Sequence, residues 1–168
     1  MKDRVMNTSV LMLLFFAAAA FGSHFNPAGS SVDSGEIRWG GSTTYTDARQ
    51  WATDKWNALG AISIQPDTAF TIEDLTWQDA DVCSASWDGR WTQYIGADTV
   101  ELNKCYLKNY TDFKRRAVAT HELGHGLGLG DHTLSDYSSS SIVMYNCSTC
   151  SGVNTPQTHD QSDYNSLW

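Results

Sequence analysis

The segment His121-Glu122-Leu123-Gly124-His125-Gly126-Leu127-Gly128-Leu129-Gly130-Asp131 sets two histidines four residues apart, with a glutamate directly after the first. Residues four apart on a helix project from one face, so His121 and His125 offer two imidazole nitrogens to one metal ion at about 2.0–2.1 Å. Glu122, turned about 100° away from His121, does not share the metal but reaches a water beside it, which makes it the natural general base. The plain alternative is a pair of solvent-facing helix histidines. Three of the chain's five histidines fall within twelve positions, which speaks against that.

Gly128 comes three residues after His125, where a helix must break if a third ligand is to return to the metal. Glycine tolerates the left-handed backbone of such a turn. The chain then delivers Asp131 and His132 in succession. Spacing favours Asp131, and zinc's affinity for imidazole favours His132, which becomes the ligand if Gly130 is an insertion. Turn geometry limits reach more than ligand type does, so the metal set is read as His121, His125 and Asp131, with His132 as the alternative.

These residues resemble the metzincin signature, His-Glu-x-x-His-x-x-Gly-x-x-His, with Asp131 in the last position. An aspartate there is similar to the snapalysin family of small secreted neutral proteases, whereas a matrixin-like reading would favour His132. Ser141-Ile142-Val143-Met144-Tyr145 stands where metzincins have a methionine-containing turn. The resemblance implies that Met144 packs beneath the ligands as a polarizable floor without binding the metal. Val118-Ala119-Thr120 and the terminal Asn165-Ser166-Leu167-Trp168 extend the likeness over residues 36–168.

The resemblance implies an α+β, zincin-like fold: a twisted, mostly parallel sheet carrying the active-site helix, and a small C-terminal subdomain after Gly128. An antiparallel edge strand near Thr99 to Asn103 would rim the cleft, where an extended peptide adds by backbone pairing. The implied activity is a secreted zinc endopeptidase with one catalytic Zn2+. Metal-activated water attacks the peptide carbonyl, and Glu122 takes its proton and passes it to the leaving amine.

The N-terminus agrees with secretion. Lys2 and Arg4 precede an apolar stretch from Val10 to Phe21 and then small residues around Gly22, the order of a signal peptide. The apolar core is well short of the ~20 residues a membrane span needs. The expected organisation is a signal peptide over 1–22, a Gly/Ser-rich linker over 23–35 and a catalytic domain over 36–168. The formal charge of the whole chain is −8, and the acidity is spread along it, so nucleic acid and anionic lipid are not expected partners. Protein or peptide substrates are, with the chain taken as a monomer away from the membrane.

Cys83, Cys105, Cys147 and Cys150 in an exported chain read as two disulfides. Three connectivities are open. Cys83–Cys105 with Cys147–Cys150 is preferred, because the active-site helix that the resemblance implies lies between the two pairs. Calcium is a second cofactor expectation, resting on Asp79, Asp81 and Asp98 alone, since no EF-hand spacing is present.

Glu36 to Trp39 opens a strand, and Thr46 to Leu59 has apolar residues at helical spacing with Gly60 as its stop. Ala61 to Ile64, Phe70 to Ile72, Asp74 to Trp77 and Thr99 to Leu102 read as strands. A helix from Asp112, capped by Thr111 or Asp112, carries the motif, Ser138 to Ser141 reads as loop, and Asp160 to Trp168 forms a closing helix. Three rival functions are compatible with the residues: an inactive zinc-containing binding module, a zinc hydrolase of small amides or esters, and an aromatic ligand platform of Trp77, Trp87, Trp91 and Tyr94. Intact Glu122 argues against the first, and aromatics are more often core and loop anchors than a platform.

Overall fold

The computed structural model describes residues 24–133, 141–148 and 150–168. The expected signal peptide and most of the Ser138 to Ser141 loop lie outside them. Five strands form one sheet: β1 (Glu36–Gly41), β2 (Ser63–Pro66), β3 (Leu75–Ala80), β4 (Gly89–Thr92) and β5 (Asp98–Asn103). Their order is β2-β1-β3-β5-β4, with every pair parallel except β4 against β5. The helices are α1 (Thr46–Asn57), α2 (Lys104–Leu107), α3 (Asp112–Gly126) and α4 (Thr158–Leu167). The architecture is mixed α/β with a mostly parallel sheet.

Alternation explains why the strands were readable. Ile37, Ile64, Leu75, Trp77, Val100 and Leu102 are all buried in the core, while Arg38, Thr76, Gln78 and Glu101 at intervening positions stay polar and more exposed. Helices α1 and α3 pack on each other and on strands of this sheet. Trp56 of α1 is fully buried, donates its indole N–H to the Thr120 carbonyl at 2.9 Å and stacks on Tyr164 of α4 at 6.0 Å between centroids. The Tyr164 hydroxyl accepts the Ile62 amide at 2.7 Å, which fastens α4 to the entry of β2.

Three readings change. Phe70 to Ile72 is not a strand: Thr71 bonds back to Asp67 and Thr68, and these local side-chain bonds fold the segment into a turn that leaves Phe70 98% and Ile72 85% exposed. The antiparallel edge strand is not Thr99 to Asn103. That segment is β5, paired on both sides, and the edge is β4, whose four residues are too short to show alternation. Among the described residues Asp79 and Asp98 share no cluster of metal-binding side chains with Asp81, so the calcium expectation finds no site there. Asp79 accepts from Thr43 and Thr44 before α1, and Asp98 accepts from Ser31 and Tyr94, so both carboxylates are spent on fold-making bonds.

The disulfides are Cys83–Cys105 and Cys147–Cys150. The first ties the end of β3 to α2. Among the described residues no helix is long and apolar enough to cross a membrane. The two disulfides are compatible with an extracellular protein.

Candidate metal centre

Helix α3 begins where the Thr111 side chain accepts the Lys114 amide, and Arg115 reaches back to the Leu107 carbonyl at 2.8 Å, closing off α2. The helix ends at Gly126, and Gly128 turns the chain beyond its cap with a φ of +87°, in the region glycine favours, as the Leu129 amide returns to the Gly124 carbonyl at 3.0 Å. That reversal brings Asp131 back over the helix.

The Nε2 atoms of His121 and His125 lie 3.1 Å apart, and Asp131 Oδ1 lies 3.2 Å from the first and 3.5 Å from the second. Donors at about 2.0–2.1 Å from a tetrahedral zinc would be separated by about 3.3 Å, the size of this triangle. On the far side of each ring, Nδ1 of His121 meets the Val143 carbonyl at 3.0 Å and Nδ1 of His125 meets the Leu129 carbonyl at 2.9 Å. A carbonyl only accepts, so each Nδ1 carries the proton and each Nε2 turns a lone pair inward. Two imidazole lone pairs and a carboxylate oxygen converge on one point, and only a cation reconciles them. The donor set fits zinc.

The proton balance agrees. Burial works against the protonated form of His121, but the Asp131 hydrogen bond, the charges of Glu122 and Asp131 and the Val143 carbonyl together raise it to about 9. Burial and the neighbouring His121 charge lower His125 to about 4. Asp131 is disfavoured as an anion by burial, yet His121, His125 and His132 hold it below the usual carboxylate range. Without a metal, a single proton on His121 takes the cation's place.

Glu122 is 5% exposed beside this triangle, and its Oε2 accepts the Trp91 amide of β4 at 2.9 Å. Burial, then the charge of Asp88, raises its carboxyl to about 7 against the opposing pull of His121 and the Trp91 amide. A base in that range is matched to neutral pH. Gly89 admits this approach: a methyl there would sit 2.5 Å from Val118 Cγ1 and 2.7 Å from Glu122 Cγ.

A cleft of ≈ 490 Å³ opens over these groups, walled by Trp87 to Trp91 on one side and Asn146 to Ser148 on the other. Of the four aromatics weighed as a platform, Trp77 is in the core, Trp87 and Trp91 line the cleft, and Tyr94 is exposed. Tyr145 is buried and is not part of the cleft lining. Met144 is 1% exposed, with its sulfur where a side chain on Gly124 would stand, directly under the helical turn between the two histidines.

The alternative ligand, His132, points elsewhere: its Nε2 lies 3.0 Å from Asp163 Oδ2, in a group with His24 and His159. The segment around His24 was read as linker, yet residues 24–31 bond to the turn after α3, through His24 O to Gly130 N, Asn26 N to Gly128 O and Ser31 N to Gly126 O. Sequence reasoning missed Asp160. Fully buried at the start of α4, its carboxylate accepts the Val143, Met144 and Gln157 amides at 2.9, 3.0 and 2.7 Å and so fixes the segment beneath His121 and Gly124. A carboxylate three residues into a helix is a capping signal, but nothing local announces the two distant amides.

No protein-family profile matches the chain, and no curated protein matches it in sequence. Among solved structures it is similar to a chain of the GM1-bound form of the ECX AB5 holotoxin, with 13% identity and a TM-score of 0.55 over 86% of each chain, which is a likeness of fold. The crystal structure of myroilysin aligns over 82% of this chain and 67% of that one, at 16% identity and a TM-score of 0.41, too slight a likeness to argue from.

Proposed function

We propose that this chain is a secreted, zinc-dependent endopeptidase of metzincin type, with His121, His125 and Asp131 holding the metal and Glu122 serving as general base. The observation that carries the reading is the triangle of inward-facing donors, 3.1–3.5 Å on its edges, with a buried carboxyl of raised affinity for protons beside it in an open cleft. Bound there, zinc would supply Lewis acidity, drawing the pKa of a water toward 7 and polarising a carbonyl.

The chain's own residues supply the rest. Val143 and Leu129 carbonyls hold the two imidazoles in one tautomer and orientation. The Trp91 amide steadies Glu122 in its ionised form, and burial returns it readily to the acid, so it can accept a proton and release it to the departing amine. β4 runs along the cleft with no strand of the described residues on its outer side, and an extended peptide lies along it as a sixth strand. Met144 underlies the ligands as the methionine of the metzincin turn would.

The test is casein hydrolysis by the purified chain and by Glu122→Ala, with zinc quantified on the same samples. Zinc in both and activity in the unaltered chain alone, with a loss of about 10³-fold or more in the variant, is expected. Zinc in both with activity in neither would favour the binding-module reading, and absence of zinc from both would end the proposal.

A further inference from the structure

A second set of metal-binding side chains lies behind the cleft. His24, His132, His159 and Asp163 each present one donor atom, and all four atoms fall within 4.8 Å of one another. Asp163 Oδ2 is 3.0 Å from His132 Nε2 and 3.3 Å from His159 Nε2, close to the separation of about 3.3 Å that two ligands of a tetrahedral zinc adopt. The His132 ring meets that of His24 at 4.0 Å and that of His159 at 4.6 Å between centroids, both edge-on, so the four groups are packed together. His132, His159 and Asp163 are at most 8% exposed. Three imidazoles and a carboxylate gathered in this way are a donor set that zinc accepts.

The chain devotes three separate segments to this arrangement. His159 and Asp163 are four apart on one face of α4. His132 is pinned between the Met144 carbonyl and the Asn146 amide at 2.8 and 2.9 Å, directly after Asp131. His24 belongs to the segment whose carbonyl accepts the Gly130 amide. We propose that His24, His132, His159 and Asp163 form a second, structural zinc site, closed by four protein ligands, that clamps the N-terminal segment and α4 onto the loop presenting Asp131. Nitrogen donors in the majority suit zinc rather than calcium or magnesium, and four protein ligands leave no position for a substrate, so the site is structural.

The decisive measurement separates the two centres. The His121→Ala/His125→Ala chain, dialysed free of metal and then exposed to zinc chloride, is expected to retain one zinc per chain by inductively coupled plasma mass spectrometry and to melt at a higher temperature with zinc than without. Adding His159→Gln to it should abolish both effects while circular dichroism stays unchanged. A folded His121→Ala/His125→Ala chain that holds no zinc, or holds one that survives His159→Gln, overturns the proposal. If these variants do not fold, zinc-edge anomalous diffraction from crystals of the unaltered chain decides: a peak among the four side chains supports the site and its absence overturns it. Failure of the peptidase reading looks different, as an unaltered chain with a single zinc that His159→Gln removes and His121→Ala/His125→Ala does not.

Discussion

Replacing Asp160 with alanine removes one buried carboxylate and strands three amides. Those of Val143 and Met144 belong to residues that are 0% and 1% exposed, so no water replaces the lost acceptor, and the third is the Gln157 amide at the start of α4. Each buried, unsatisfied amide costs about 1–3 kcal/mol and a lost helix cap about 1 kcal/mol, for a total of about 3–5 kcal/mol after partial relaxation. In a domain of this size that lowers Tm by about 10–15 °C. The damage also reaches the metal, because the Val143 carbonyl orients His121. Zinc affinity should fall by about 10–100-fold even where the variant is fully folded, the usual effect of losing a ligand's outer support. Thermal unfolding by circular dichroism and competition with a zinc chelator at 15 °C check the two effects separately. A variant that loses less than about 1 kcal/mol and binds zinc unchanged would refute the claim that Asp160 positions the site.

Zinc binding at pH 8 should release about one proton, because His121, raised to about 9, is still charged there while His125, lowered to about 4, has none to give. Calorimetry in buffers of different ionisation enthalpy reads this number, and a value near zero would contradict it. The metal-free chain should lose stability as pH rises from about 6.5 to 9. Above 6.5 the folded state holds more protons, on Glu122 up to about 7 and on His121 up to about 9, and a rising pH withdraws that advantage, whereas below 6.5 His125, lowered to about 4, works against Glu122. Melting curves across this range without and with zinc check it, the dependence flattening once the metal is present. Gly89→Ala should cost about 1–3 kcal/mol by pushing β4 off α3, and should lower kcat with zinc content unchanged, because the added methyl meets Val118 and Glu122. Denaturant titration and metal analysis of the same variant test both parts.

The helix bearing His121, Glu122 and His125 was legible because two periodicities coincide there, the core-facing apolar residues and the histidines four apart. Strands β1, β3 and β5 were legible by alternation, since one face of the sheet is buried and the other polar. What escaped was decided by partners far along the chain. β4 is four residues long and earns its place through Glu122 and β5. Phe70 and Ile72 alternate like a strand, yet threonine bonds to Asp67 and Thr68 hold them out in solvent. The choice between Asp131 and His132 as neighbour of His121 rests on where His132 is drawn, toward Asp163 about thirty residues later, and no local pattern encodes that. α4 was legible as a closing helix, but its buried face is His159, Asp160, Asp163 and Tyr164, a mostly polar stripe that serves the loops above it. The spacing His159 to Asp163, the same four residues as His121 to His125, was the signal available for it.

Residues 24–31 lie against the turn at 126–130, and Asp160 lies against Val143 and Met144, so the first and last parts of the described chain both brace the same few residues in between. Contacts that span about a hundred positions of chain form only after the cost of closing so long a loop is met, which places them late in folding. The motif helix can coil as soon as it is made, but the carbonyl that aims His121 and the loop that returns Asp131 are fixed only when both ends have arrived.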